Sequence, residues 1–209
     1  MARGLFITFE GGEGTGKSTQ VRRLAERIAT LGREVVVTRE PGGSPGAEAI
    51  RGLLVSGAVD RWSAISEALL MNAARRDHIE RLIAPALARG AVVLCDRFAD
   101  STRAYQGAAG GAPLSLITAL EAAVVGDCRP DLTLVLDLPT EVGLARADTL
   151  GGLEARFERK GAAFHAAIRQ AFLDIASAEP GRYAVVDASG SPEAVADIVW
   201  RLVEGRAAT

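Results

Sequence analysis

With 209 residues and 48% hydrophobic composition, the chain has the size of one α/β domain and ample apolar material for its core. A net charge of -2 excludes the overall basic field that would hold a nucleic-acid backbone or an anionic membrane, so anionic ligands must be gripped by local groups. Only two of the 24 basic side chains are lysines, Lys17 and Lys160, which leaves nearly all positive charge on guanidinium forks suited to bidentate phosphate contacts.

The N-terminus runs through a short apolar stretch to charged Glu10, too short for a signal peptide or a membrane span, and a reducing cytoplasm is the expected compartment. Cys95 and Cys128 are too few and too far apart for a zinc motif, so buried free thiols are expected. Five short apolar runs recur: Leu5 to Phe9, Val35 to Thr38, Ala91 to Cys95, Leu132 to Leu136 and Tyr183 to Val186. They lack clean alternation and are separated by helix-length segments, which predicts strands buried on both faces of a mainly parallel sheet. Glu10, Arg39, Asp96, Asp137 and Asp187 stand at the ends of these runs. Ligands of open α/β sheets bind beyond the strand carboxyl ends, so several of these charges are expected at the site.

After the first run, Gly11-Gly12-Glu13-Gly14-Thr15-Gly16-Lys17-Ser18 fits GxxxxGK[ST] in its required place before a predicted helix, with Thr19 following. Backbone N–H groups can curl around phosphate there, Lys17 reaches the β/γ-phosphates and the Ser18 hydroxyl can ligate Mg²⁺. Asp96 is the expected carboxylate on the Mg²⁺ side. A guanine-reading Asn-Lys-x-Asp motif is absent, which disfavours a GTPase switch.

Farther along, Ser63 to Ala88 shows helical spacing, and Ser191 followed by Pro192 predicts a capped helix reaching Val203. Glycine and proline predict irregular chain over Glu40 to Gly46, Gly107 to Pro113 and Thr149 to Glu154, the last either a mobile lid or a passive connection. Arginines stand beside carboxylates in Thr38-Arg39-Glu40-Pro41-Gly42-Gly43, around Arg75 and within Asp96 to Gln106. Transfer between two polyanions needs such cations, whereas Arg76, Asp77, His78 and Arg103 read as surface ion pairs.

Together the Glu10-Gly11 approach to the loop, the Thr-Arg-Glu-Pro-Gly-Gly segment, Asp-Arg-Phe-x-x-Ser-x-x-Ala-Tyr-Gln at 96 to 106, and Arg129 to Thr133 resemble the thymidylate kinase family over nearly the whole length. The resemblance implies an α/β P-loop nucleoside monophosphate kinase fold with a five-stranded parallel sheet flanked by helices and a small lid at about 147–160, all in one domain. It also implies a homodimer, ATP with Mg²⁺, and dTMP as the acceptor converted to dTDP for dTTP synthesis. The alternatives are a kinase for dUMP or UMP, or a P-loop regulator without an acceptor.

By position, the resemblance puts Lys17, Arg39, Glu40, Arg97, Arg156 and Arg159 in the catalytic set and Arg146 near adenine. It puts Arg39, Arg51 and Arg97 on the acceptor phosphate and Glu13 on the 3′-hydroxyl. Arg75, Ser101 and Gln106 fall at the thymine edge, Tyr105 against the sugar and Met71 over the base, where relatives usually carry an aromatic ring. Read without the resemblance, Tyr105 is a half-buried aromatic, Ser101 a helix cap and Met71 plain core. Eukaryotic members place an arginine where Gly14 stands, and bacterial members lacking it usually supply one from the lid; here Arg156, Arg159 and Lys160 are the nearest basic residues.

Overall fold

The computed structural model describes residues 3–150, 157 and 160–207, with the side chains of residues 149 and 150 left aside. Five parallel strands stand in the order β2-β3-β1-β4-β5: β1 Phe6–Glu10, β2 Val35–Arg39, β3 Val92–Asp96, β4 Leu132–Asp137 and β5 Tyr183–Asp187. Each strand runs one residue past its apolar stretch, because the closing charged residue still pairs in the ladder, as in the neighbours Arg39 and Asp96. Adjacent residues of one strand serve opposite cores. Ile7, Phe9, Val92 and Leu94 pack with Val21, Leu24 and Val199 on one face, while Phe6, Val93 and Cys95 pack with Ile83 and Phe98 on the other. That two-sided burial is why the strands read as continuous apolar runs.

The helices are α1 Lys17–Ala29, α2 Pro45–Val55, α3 Ala64–His78, α4 Ala84–Ala88, α5 Ala99–Thr102, α6 Leu114–Val125, α7 Thr140–Leu150, α8 Ala162–Ala178 and α9 Pro192–Ala207. Ser63 caps α3 by accepting from the Ser66 N–H at 3.2 Å, and Ser191 accepts from the Ala194 N–H ahead of α9. The segment expected as one helix from Ser63 to Ala88 contains a π-helical turn, Ile79–Ile83, just before Pro85. Proline lacks an N–H and crowds the preceding turn, and the widened turn accommodates both defects.

Three expected irregular stretches are shorter than their glycines and prolines predict. Pro45 opens α2, its fixed φ being suited to a first helical turn. Gly107 belongs to a second π-helical turn, Arg103–Ala108, whose Ala104, Tyr105, Gln106 and Gly107 are buried, so packing outweighs glycine's low propensity. Helix α7 continues through Leu150, and residues 151–156 lie outside the described residues. The reversal of strand order around β1 opens the crevice beyond the carboxyl ends of β1 and β3, where the loop after β1 is seated.

Candidate functional site

Residues 11–16 turn between β1 and α1, and Gly14 has a φ of +66°. A Cβ at Gly14 would stand 2.0 Å from the Gly143 carbonyl oxygen, and a Cβ at Gly143 would stand 2.4 Å from the Glu13 carbonyl oxygen. Helix α7 therefore rests directly on the loop backbone, and position 14 has no room for an arginine. The buried Lys17 Nζ donates to the carbonyls of Gly12 at 2.7 Å and Gly11 at 3.2 Å, while Thr15 Oγ1 braces the loop through Gly12. Burial first, and Arg97 second, lower the Lys17 pKa.

Ser18 Oγ donates to Asp96 Oδ2 at 2.5 Å, joining two hard oxygen ligands at the start of α1. No cluster of three or more His, Cys, Asp or Glu suited to a metal occurs among the described residues. The two oxygens of Ser18 and Asp96 suit a hard cation such as Mg²⁺ that takes one or two protein oxygens and completes its shell with phosphate and water. On the outer side, Gly14, Gly16, Thr19, Gln20 and Arg146 line an open cleft with the 188–192 segment. Arg146 shapes that cleft by donating to the carbonyls of Ala188 and Ser189.

A second cavity, with about 470 Å³ of empty space, begins at Glu13 and runs past Glu40, Met71, Arg75, Arg97 and Ser101 to Tyr105, Gln106 and Phe157. Its mouth is organised by Arg97, whose two guanidinium contacts to Glu13 are both 3.0 Å and whose Nη1 donates to the Gly11 carbonyl. The Tyr105 hydroxyl donates to Glu13 at 2.6 Å, and its ring lies 5.0 Å from the Arg97 guanidinium. Burial would raise the Glu13 pKa, but Arg97, then Lys17 and the Tyr105 hydroxyl, reverse this and hold the carboxyl at about 2.

Arg97 has a left-handed backbone, φ +67°, which costs a non-glycine residue about 1–2 kcal/mol. The surroundings impose it. The Arg97 N–H donates to Phe9 O at 2.9 Å, and the fully buried Glu10 accepts from the N–H groups of Phe98 and Ser101 and from the Ser101 hydroxyl at 2.6 Å. Burial, with Asp100 adding to it, raises the Glu10 pKa.

At the cavity's inner wall, Arg75 engages four of its five N–H donors. Nε goes to Glu40 at 2.7 Å, Nη1 to Asn72, and Nη2 to Phe98 O and Thr102, so one Nη1 hydrogen remains. Gln106 Nε2 donates to Glu67 at 3.1 Å, which turns its amide oxygen the other way. The cavity thus combines cations at its mouth, next to the phosphate-binding loop, with an apolar body and oriented polar groups at its base. That is the form of a site for a small phosphorylated ligand with a planar head.

Residues 9–199 match the family model Thymidylate kinase. The chain is 65% identical to the thymidylate kinase of Caulobacter vibrioides over 206 residues, covering 99% of each, and 55% identical to that of Rhodopseudomonas palustris strain TIE-1, covering 98% of this chain and 90% of that one. The chain belongs to the thymidylate kinase family. The crystal structure of thymidylate kinase from Ehrlichia chaffeensis superposes with a TM-score of 0.79 at 34% identity, covering 96% of this chain and 99% of that one. The parallel sheet with flanking helices is the family's nucleoside monophosphate kinase fold.

Several expected roles for this family member meet different geometry. Arg39 does not line the cavity but pairs with Glu48 at its rim at 3.1 Å, and Arg51 donates to the Pro41 carbonyl at 2.7 Å. The two oxygens of Glu40 face Arg75 and His78, so Glu40 acts through Arg75. The Ser101 hydroxyl donates its hydrogen bond to Glu10, and half-buried Met71 packs beside Tyr105 and lines the cavity.

His78 is not on the surface. It is wholly buried between Glu40 and Thr38, because α3 turns its last residue inward against the 40–43 segment. Arg76 and Asp77 do form i,i+4 ion pairs with Glu80 and Arg81, and Arg103 pairs with Glu121. Arg156 and Arg159 lie outside the described residues.

Sequence reasoning placed Glu10 and Thr38 only within strand-end and segment patterns, without a partner, and missed Gly143 and Phe157 as parts of the site. Gly143 had a signal, since a glycine inside a helix costs about 1 kcal/mol and requires a packing reason. Phe157 reads as an ordinary apolar residue until the fold brings it against Tyr105.

Proposed function

We propose that this chain transfers the γ-phosphoryl group of ATP to dTMP, giving dTDP and ADP. The observation that carries the proposal is the Glu13–Arg97 contact, where the phosphate-binding loop and the acceptor cavity share one wall. A dTMP phosphate oxygen, already anionic near neutral pH, attacks the γ-phosphorus in line. The new P–O bond forms as the bond to the β,γ-bridging oxygen breaks, and its electron pair leaves with ADP. No general base is needed, and positioning with charge neutralisation does the catalysis.

Lys17 and the loop amides hold the ATP phosphates, and Arg146 borders the adenine. Ser18 and Asp96 are the residues that would hold Mg²⁺, which when bound offsets phosphate charge. Arg97 releases from Glu13, and Arg39 from Glu48, to grip the acceptor phosphate beside Arg51, leaving Glu13 for the 3′-hydroxyl. The remaining Nη1 hydrogen of Arg75 and the amide oxygen of Gln106 read the thymine edge, Met71 covers the base, and Tyr105 crowds a 2′-hydroxyl. One of Arg156 and Arg159 covers the transferring phosphoryl group.

Exposed Leu53 on α2, Ile65 and Leu69 on α3, and Leu114 on α6, three helices of which α3 packs on both others, support a homodimer, and free Cys95 and Cys128 suit a reducing cytoplasm. Among the described residues no helix is long and apolar enough to cross a membrane.

A coupled assay across dTMP, dUMP, UMP, dCMP and AMP at matched concentrations tests the proposal. The expected order is dTMP first, dUMP behind it by the effect of one methyl group, about 10–200-fold at most, and UMP, dCMP and AMP weaker. UMP or AMP as the best acceptor would overturn the dTMP assignment and leave a kinase; no phosphorylated acceptor at all would overturn the kinase.

A further inference from the structure

His78 stands outside the roles assigned above, yet it is an ionisable side chain wholly buried on the acceptor side, with no exposed surface. Its Nδ1 lies 3.0 Å from Glu40 Oε1 and its Nε2 lies 2.7 Å from Thr38 Oγ1. An ionised carboxylate only accepts, so Nδ1 carries the hydrogen toward Glu40, and in the neutral ring Nε2 accepts from the Thr38 hydroxyl. The other Glu40 oxygen holds Arg75 Nε at 2.7 Å, and Arg75 lines the acceptor cavity. Thr38 at the end of β2, His78 at the end of α3, Glu40 and Arg75 therefore form one continuous chain of buried hydrogen bonds.

The surroundings leave that chain little freedom. A Cβ at Gly43, whose φ is +86°, would stand 2.4 Å from both His78 Nε2 and Thr38 Oγ1, so the 40–43 segment folds closely over the ring. Asn72, Phe98 and Thr102 fix the remaining bonded nitrogens of Arg75. Glu40 is the member that would be free to rotate without His78. A carboxylate held at one oxygen turns about its terminal torsion, whereas one held at both does not.

We infer that His78 is a positioning residue for acceptor-base selection: by holding Glu40 through Nδ1 it completes the set of bonds that fixes the angle at which Arg75 presents its remaining donor to a carbonyl of the bound base. The inference rests on the proposed role of Arg75 at the thymine edge. Loosening the chain should therefore cost discrimination between a base with a carbonyl at that edge and one with an amine there, and should spare ATP.

The experiment compares His78→Phe, His78→Asn and Arg75→Ala by measuring kcat and KM for dTMP and dCMP, with the ATP KM alongside. His78→Phe keeps a buried ring but leaves Glu40 one partner short; His78→Asn places an amide donor near the position of Nδ1. The expected result for His78→Phe is a fall of about tenfold in the dTMP:dCMP ratio of kcat/KM, carried mainly by the dTMP KM, with the ATP KM within about twofold of wild type. His78→Asn should recover most of the ratio.

An unchanged ratio in His78→Phe, or a fall not recovered by His78→Asn, overturns the inference. If Arg75→Ala itself leaves the ratio unchanged, the reading of Arg75 fails instead, and the two failures are thereby distinguished. Should His78→Phe not fold, Thr38→Val, which removes only the far hydroxyl, decides the matter: a fall of about two- to threefold supports the inference, and no change overturns it.

Discussion

The donor and acceptor halves of this site meet at Glu13, but one is made largely of backbone and the other largely of side chains. On the donor side, eight successive residues, Gly11 to Ser18, supply the loop amides, the lysine and the hydroxyl, and Asp96 joins them from a neighbouring strand end. On the acceptor side, Glu40, Met71, Arg75, Arg97, Ser101, Tyr105, Gln106 and Phe157 come from the segment after β2, from α3, from the turn after β3 and from beyond α7. Backbone tolerates a change of partner while its turn survives, whereas a lattice of side-chain bonds loses geometry when one member goes. The donor half should accordingly fail through the loss of individual charges, and the acceptor half through the loss of alignment.

The largest effect is expected at the donor half. Lys17→Ala should lower kcat by about 10³-fold or more while circular dichroism stays native, because it removes a cation aimed at the transferring phosphates and little packing. Near-normal turnover would remove the loop from the mechanism. Next come Arg156→Ala and Arg159→Ala. One of them should lower kcat by about 10³-fold with little change in the dTMP KM, the signature of a cation engaged mainly in the transition state. If both variants turn over like wild type, the catalytic cation comes from elsewhere, with Arg39 and Arg97 next in line.

Smaller losses separate packing from hydrogen bonding in the acceptor half. Tyr105→Phe keeps the ring and removes the hydroxyl that donates to Glu13 at 2.6 Å, so kcat/KM for dTMP should fall about tenfold while the preference for dTMP over UMP persists. Tyr105→Ala should lose that preference as well. An equal loss in both variants would mean that the hydroxyl, not the ring, excludes the ribose.

The smallest effect concerns stability in acid. The Glu13 carboxyl titrates near 2 in the folded protein against an ordinary 4.5, so its contribution is fully present above about pH 4.5 and is lost as the pH falls toward 2. Denaturation curves of Glu13→Gln should therefore be flatter than wild type across that interval. A parallel acid limb would show that Arg97 and Lys17 do not stabilise the ionised form.

Neighbouring residues in the chain carried most of what sequence could decide. Two-sided burial leaves continuous apolar runs, so the five strands were legible to within a residue, and backbone recognition of phosphate needs its glycines and Lys17 in one short stretch. Several residues lining the second cavity, among them Met71, Arg75 and Tyr105, were named one by one from the family resemblance, but their bonds were not. His78 was expected in solvent and lies buried against Glu40, and the Arg39–Glu48 pair is a bond that the position of Arg39 in the sequence does not show. The burial of His78 depends on where the end of α3 meets the segment after β2, a contact between residues about 40 positions apart. Composition and periodicity carry nothing about such a meeting: a histidine at a helix end reads the same whether the helix ends in water or against a carboxylate. Only tertiary packing decides which, because burial forces every donor to find its acceptor.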